Sequence, residues 1–262
     1  REQLVLLLAE AKKLSQVLSS KWIEFHPRAI GDFASMSELL VEKKWKHHFL
    51  ELTSNLNELW SGCSRTSICN RVKKAKRAGI QVSNENSEEA LKVFYDLLVD
   101  TRCRLGLPPM PYRFFVSMWR KLSGKERMLL VARKGEEVLG GVLAVKGQGI
   151  FHLEYAADTV IAKYEGVMQL LYWRSVELAN EEGFETFSFG RTSPDNAGLI
   201  VYKSRWGTIE EDLPVWVFHS QSQKSRSRSR YPMAMQLIRF VFRKCPKFLS
   251  KTVGKFLYSH WG

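Results

Sequence analysis

The residues best suited to chemistry lie in one stretch, Phe184–Gly207, with the sequence FETFSFGRTSPDNAGLIVYKSRWG. A predicted strand in this stretch runs into Gly190, where the backbone can turn. Proteins of the α/β class bind ligands at the carboxyl ends of strands, which is where the polar residues of this stretch fall. These residues are Arg191, Thr192, Ser193 and Asn196, followed one helix later by Lys203 and Arg205. The pattern indicates a ligand-binding site at this edge.

Strands and helices must position this stretch, and hydrophobic periodicity predicts their order. The first predicted elements are helix 4–18, strand 21–28, helix 37–45, strand 48–53 and a long helix from 55 to 79. Then come strand 80–83, helices 87–105 and 111–122, strands 128–133, 137–145 and 150–155, helix 165–182, strand 186–189, a short helix within 191–205 and strand 213–218. From residue 80 onward this is the element order of GNAT-type acyltransferases.

The predicted fold class is therefore α/β, with a mixed α+β sheet, in which one complete GNAT-like unit follows the later half of another. We divide the chain into a partial N-terminal GNAT-like unit (1–54), a basic linker helix (55–79), an acyltransferase domain (80–219) and a basic tether with an amphipathic C-terminal segment (220–262). Because the sequence begins with Arg1 inside a helical pattern, we expect that further residues precede it.

Positive charge is concentrated in two segments of this 262-residue chain, whose formal net charge is +13. Residues 220–262 contain ten Lys or Arg and no Asp or Glu, and residues 65–79 contain six and none. Such segments suit RNA or an anionic membrane surface, although a solvated helix face is the plain alternative. The nucleic-acid contacts that we predict are Arg71, Lys73, Lys74, Lys76 and Arg77. The tail could lie on a membrane or dock on its own domain.

Several motifs resemble the FemAB-like acyltransferases, and above all the exopolysaccharide-locus members. The FSFGRT motif, followed by a helix ending in YKSRWG, resembles the family signature F-D-F-G-R-S … F-K-x-x-W-G, with Ser188 where the family usually has Asp. Similar pieces are the basic run 65–79, TRCRLGLPPMP at 101–111, HLEYAA at 152–157 and Leu171-Tyr172-Trp173 on the long helix. The resemblance covers about residues 45 to 219.

The resemblance implies a twin-GNAT architecture and transfer of an acyl group, commonly an amino acid carried on tRNA, to an amine acceptor of a cell-envelope precursor or polysaccharide. It implies catalytic roles for Lys203, as a cation near phosphate or oxyanion charge, and Tyr155, as a donor to the reacting carbonyl. Tyr155 could equally well be a half-buried aromatic residue that only packs within its strand. The expected substrate-binding residues are Arg191, Thr192, Ser193, Asn196, Arg205 and Tyr172.

Two rival functions stay open. An acyl-coenzyme A donor would need a coenzyme-binding turn, and Lys163-Tyr-Glu-Gly166-Val-Met168 keeps only its Lys and first Gly, while Glu165 would repel a pyrophosphate. The other rival is a non-catalytic protein that binds RNA or a membrane surface. No cofactor is expected beyond the donor itself.

Other classes of protein are disfavoured by what the sequence lacks. No local motif places Ser or Cys beside both a His and an acid, so we expect no covalent acyl-enzyme. Four cysteines without a CxxC pair, and His47 and His48 on opposite faces of a strand, argue against a metal site. No apolar run is long enough to span a membrane. We expect a cytoplasmic protein, and a peripheral position on the inner membrane face stays open.

Overall fold

The computed structural model describes residues 2–20, 22–25, 38–53, 55–219, 242 and 247–260, and the chain forms two compact units. Unit 1 consists of the segments Arg1–His48, Arg191–Ser204 and Ile209–Arg228, and unit 2 of Phe49–Gly190, Arg205–Thr208 and Ser229–Gly262. Each unit is thus assembled from segments that are distant in the sequence. Our division into four consecutive segments differs from this, because a sequence pattern does not show which late strand returns to an early one.

The described helices, in chain order, are α1 (Glu2–Val17), α2 (Leu56–Gly62), α3 (Asn70–Arg77), α4 (Glu88–Leu105), α5 (Tyr112–Lys121), α6 (Ala162–Glu165), α7 (Val167–Glu181), α8 (Ala197–Ser204) and α9 (Lys247–His260), with a π-helical turn at Arg65–Cys69. The described strands are β1 (Trp22–Phe25), β2 (Leu40–Glu51), β3 (Gln81–Glu85), β4 (Arg127–Lys134), β5 (Glu137–Gly147), β6 (Ile150–Asp158), β7 (Thr186–Thr192) and β8 (Ile209–His219).

Unit 1 is built on strands in the order β1-β8-β2. β1 and β8 pair antiparallel, with Phe25 opposite Trp216. Leu8 of α1, Leu39 and Trp216 form a small buried cluster against which Phe25 packs. The last strand of the unit in sequence therefore lies between its two earlier strands.

Unit 2 has the strand order β7-β6-β5-β4-β3. All neighbours pair antiparallel except β6 and β7, which are parallel, so the predicted β-meander is confirmed. Side chains alternate between the two faces of a strand. Position 141 of β5 faces Phe94 of α4, whereas position 140 faces Leu171 of α7. Helices therefore cover both faces of this mixed sheet.

The structure corrects three predicted helices. Residues 40–45 belong to β2 instead of a helix, because a place beside β8 outweighs a weak helical pattern. The helix predicted for 55–79 is broken after Gly62, where Cys63 is extended (φ −75°, ψ 144°). The helix predicted from Glu165 is divided at Gly166, which has φ +77°.

Gly166 combines a left-handed backbone with a very close neighbour. A Cβ atom here would lie 2.4 Å from the carbonyl oxygen of Arg71. We expect Gly166→Ala to lower the free energy of unfolding by about 3 kcal/mol, through backbone strain and overpacking. Gly183 has φ +78° but nothing within 4 Å, so Gly183→Ala should cost only about 1 kcal/mol. Denaturant unfolding measures both, and equal losses would contradict the role of the Arg71 contact.

The C-terminal helix α9 packs on α4 within unit 2. Lys251 Nζ donates to Asp96 Oδ1 at 2.8 Å, and Arg102 Nη2 donates to the Tyr258 hydroxyl at 3.0 Å. Gly254 is buried against the backbone of Pro109, where a Cβ atom would lie 2.1 Å from the carbonyl oxygen. The two predicted settings for this helix were a membrane surface and its own domain. The structure describes contacts with its own unit, while Phe256 stays 66% exposed.

Candidate active site

Lys203 is a buried cation of unit 1. It lies near the end of α8 and is only 6% exposed. Burial lowers its pKa from the ordinary value near 10.5 to about 8, because removal from water penalises the charged form. Asn196 caps the start of α8, its Oδ1 accepting from the Leu199 N–H at 3.2 Å. The helix thus begins at one predicted site residue and positions another.

A ladder of charged side chains on β2 and β8 lies in the same unit. Lys46 Nζ lies 2.8 Å from Glu210 Oε1 and 2.8 Å from Asp212 Oδ1, and His48 Nε2 lies 3.2 Å from Glu210 Oε2. His48 is fully buried, and burial followed by the positive charge of Lys203 lowers its pKa. The two groups are therefore close enough to interact, and His48 is held in its neutral form.

Sequence reasoning missed this ladder. The signal was the alternation of Lys44, Lys46 and His48, which places three basic side chains on one face of a strand. Their acidic partners Glu210 and Asp212 lie more than 150 residues later. No local motif could join them.

The polar residues that follow Gly190 have local partners or are buried. The Arg191 guanidinium carbon lies 5.0 Å from the ring centroid of Trp45, a cation–π distance. Thr192 is 2% exposed, and Ser193 Oγ donates to Asp195 Oδ2 at 3.3 Å. Arg191 is exposed.

The predicted donor to the reacting carbonyl, Tyr155, and two predicted substrate-binding residues, Tyr172 and Arg205, belong to unit 2. Tyr155 is half-buried, its hydroxyl lies 3.9 Å from Met110 Sδ, and burial with the charge of Glu154 raises its pKa. Tyr172 packs on Phe189 and Trp206, and burial raises its pKa to about 12. Arg205 is exposed, and its carbonyl accepts from the Ser64 N–H at 2.7 Å. Both phenols therefore stay protonated donors at neutral pH.

Unit 2 also brings together three side chains that we call the Ser–His–Glu row: Ser188 of β7 with His152 and Glu154 of β6. Ser188 Oγ lies 2.9 Å from His152 Nδ1, and His152 Nε2 lies 3.1 Å from Glu154 Oε2. The sequence shows no such motif, because the parallel register of β6 and β7 places His152 opposite Ser188, 36 residues away.

The predicted nucleic-acid contacts on α3 divide into two groups. Arg71 Nη1 and Lys74 Nζ both donate to the carbonyl oxygen of Tyr164, at 3.2 and 2.7 Å. The i, i+3, i+4 spacing of the others places them together on a different face, where all three are exposed: Lys73, Lys76 and Arg77. All five cations are exposed, and these three share one face of α3.

The turn between α6 and α7 is the position of the degraded coenzyme-binding motif, and α3 packs directly against it. The Arg71 carbonyl lies against Gly166, and Lys74 Nζ lies 3.7 Å from Glu165 Oε1. Both the backbone and a side chain of α3 therefore contact this turn.

Comparison with known proteins identifies the family. Residues 64–204, more than half of the chain, match the acetyltransferase (GNAT) domain family. The chain belongs to the GNAT acetyltransferase family. As a GNAT member it is an acyltransferase, which confirms the predicted class of enzyme. None of the curated proteins matches the sequence.

Solved structures agree on the fold of this GNAT chain. FemX matches with a TM-score of 0.70 and 16% identity, over 90% of this chain and 79% of its own. The C-terminal domain (DUF2156) of a putative lysylphosphatidylglycerol synthetase from Agrobacterium fabrum matches with a TM-score of 0.58 and 14% identity, over 81% and 72%. L-PGS from Bacillus licheniformis matches with a TM-score of 0.56 and 13% identity, over 85% of this chain and 73% of its own. The predicted FemAB-like GNAT fold is thus confirmed.

The described residues contain neither a candidate metal site nor a candidate membrane span. Within that part of the chain, no group of three or more His, Cys, Asp or Glu side chains is placed to hold a metal ion. Among the same residues, none of the helices has the length and apolar character needed to cross a membrane.

Proposed function

We propose that this GNAT acyltransferase takes its acyl group from aminoacyl-tRNA and transfers it to an amine of a cell-envelope precursor or polysaccharide. The observation that carries the proposal is the packing of α3 on the α6–α7 turn. A coenzyme pyrophosphate would need the backbone N–H groups of that turn, yet the Arg71 carbonyl, itself a hydrogen-bond acceptor, lies against Gly166. A donor held elsewhere, by contacts to many phosphates, fits this arrangement better.

Aminolysis of an activated ester requires an oriented amine and stabilisation of a developing oxyanion. Lys203 supplies a cation whose burial strengthens its electrostatic effect. Arg191, which is exposed, offers a planar fork for an acidic group of donor or acceptor. Tyr155 stays protonated and can donate to a carbonyl. These roles support direct attack of the amine without a covalent acyl-enzyme.

The tRNA contacts are assigned to the exposed cations of α3. Lys73, Lys76 and Arg77 present three positive charges on one face, and phosphate contacts of this kind give salt-dependent, sequence-independent affinity. Arg71 and Lys74 have a supporting role, because their side chains fix α3 to the Tyr164 carbonyl. The acyl donor is thus bound through its phosphates and positioned by the rigid helix.

Attachment to an anionic membrane from the cytoplasmic side is the accompanying proposal for residues 220–262. On α9, Phe256 is 66% exposed, Val253 is 41% exposed and Lys255 is also exposed. An exposed aromatic beside cations suits the surface of an anionic bilayer. Such a location would bring the enzyme to lipid-linked acceptors.

The test compares donors on the full chain. A mixed pool of aminoacyl-tRNA, the same tRNA after deacylation and acetyl-coenzyme A are titrated at two salt concentrations, and transfer to added amines is followed with each labelled donor. We expect salt-sensitive binding of tRNA, tighter when it is charged, and transfer from that donor alone. Saturable binding of acetyl-coenzyme A with acetyl transfer would instead assign the coenzyme as donor and refute the proposal.

A further inference from the structure

The Ser–His–Glu row leads from the interior of unit 2 to its surface. Ser188 is 1% exposed, whereas the side chains of His152 and Glu154 are 35% and 38% exposed. The two contacts of 2.9 and 3.1 Å join a buried hydroxyl, an imidazole and a carboxylate in series. Such a series is suited to moving a proton between a buried point and solvent.

The inner end of the row lies where β6 and β7 stop pairing. Their parallel register covers Ile150–His152 against Thr186–Ser188, while β6 continues to Asp158 and β7 to Thr192. Within the described strands, His152 and Ser188 form the last pair of this register. Hydrogen-bonded strands lie too close together to admit a ligand. A ligand could therefore enter between β6 and β7 only beyond the pair His152 and Ser188.

Additional contacts fix the geometry of Ser188. The Gly190 N–H donates to Ser188 Oγ at 3.2 Å. A Cβ atom on Gly190, which has φ +72°, would lie 3.4 Å from His152 Cε1. The backbone therefore passes close to the imidazole edge, and the serine hydroxyl is oriented by its own strand.

We propose that the Ser–His–Glu row carries away the proton that is released when the acceptor amine is acylated. The inference rests on the amine acceptor of the proposed function and is independent of the donor. An ammonium must lose one proton before its nitrogen can attack. That proton passes to Ser188 Oγ while the serine proton passes to His152 Nδ1. His152 then gives up its Nε2 proton to Glu154 and solvent. Before the next turnover it loses the Nδ1 proton and regains one on Nε2 by exchange with water, which restores its starting tautomer.

The remaining steps balance without any bond to the protein. The amine nitrogen forms a bond to the acyl carbon, and the bond from that carbon to the donor oxygen breaks. A second proton leaves the nitrogen as the donor oxygen takes one up, so the net products are the amide, the free donor hydroxyl and one proton in water. The hydroxyl of Ser188 relays a proton and is not the nucleophile.

The first test needs no substrate. Relay through Nδ1 requires that neutral His152 carries its proton on Nε2, facing Glu154. Long-range ¹H–¹⁵N NMR of the full chain with labelled histidine, assigned with His152→Gln, reads this tautomer directly. We expect the Nε2–H form in the wild type and a mixture of forms in Glu154→Gln. A proton on Nδ1 in the wild type would overturn the inference, whatever the donor proves to be.

The second test compares acceptor amines, with whichever donor the wild type uses. His152→Ala should lower kcat with a strongly basic alkylamine by about 100-fold or more and leave KM for that amine unchanged. It should affect hydroxylamine far less, because hydroxylamine is already uncharged at neutral pH. Added imidazole should restore part of the rate. Ser188→Thr should keep activity and Ser188→Ala should lose it, while His219→Ala serves as the histidine control.

Two results of the kinetic test would contradict the relay. Equal losses with both amines would mean that His152 has only a structural role. An acyl ester on Ser188, detected by mass spectrometry after incubation with donor alone, would make Ser188 a nucleophile and replace the relay by covalent catalysis.

Discussion

Replacing Lys203 with alanine should lower kcat for acyl transfer by about 100- to 1,000-fold, the loss expected when one preorganised group that stabilises an oxyanion is removed. The group acts as a cation, so the wild-type rate should also fall as the pH rises through about 8, where burial has placed the pKa of Lys203. Transfer rates measured from neutral to alkaline pH check both results. Binding of donor should change little, because the effect is on the transition state.

The burial of Lys203 can be checked separately through the free energy of unfolding of wild type and Lys203→Ala, measured as a function of pH. A lysine whose pKa is lower in the folded than in the unfolded state binds fewer protons when folded, so its charge destabilises the fold below pH 8 and this cost disappears as the pH rises past 10.5. Lys134→Ala, at an exposed strand end, is the matched control. Full transfer activity in Lys203→Ala would contradict the proposed role.

Neutralising the exposed face of α3 gives the second large effect. The triple change Lys73→Gln, Lys76→Gln and Arg77→Gln should weaken tRNA binding by about 100-fold at low salt, and should reduce the slope of log affinity against log salt by about 2. Glutamine preserves helix propensity, so α3 should stay folded. Filter binding over a range of salt concentrations measures both quantities.

The control for this prediction removes the same charge elsewhere. Lys121, Lys125 and Lys134 are exposed on the same unit, and their replacement by glutamine changes the net charge equally. The prediction is contradicted if this control triple weakens tRNA binding as much as the α3 triple does. Equal effects would mean that only the overall positive charge attracts RNA.

Local signals made most of the fold predictable. The meander β4–β5–β6 and helix α4 follow from strong periodicity, and Ser87 caps α4 as a serine before Glu88 and Glu89 should. The errors fell where tertiary contacts decide. β2 has a weak pattern of its own, and α7 starts at Val167 because the chain turns at Gly166 against Arg71.

The site was predictable only in part. Family motifs predict roles for Lys203 and Tyr155, and the structure adds what motifs cannot contain, namely the burial that lowers the pKa of one and raises that of the other. The Ser–His–Glu row and the ladder of Lys46 and Glu210 each join residues that lie on neighbouring strands but far apart in the sequence. Strand register creates these contacts, and register cannot be predicted from any short segment of the sequence.

The discontinuous units have a consequence for the order of events during synthesis. β8 lies between β1 and β2 in unit 1, so the strand in the middle is the last of the three to leave the ribosome. Unit 2 likewise receives the fully buried Trp206, and then α9, after all its strands. Neither unit can close while its N-terminal part is being made. The folded form of the enzyme is therefore reached only after β8, Trp206 and α9 have emerged.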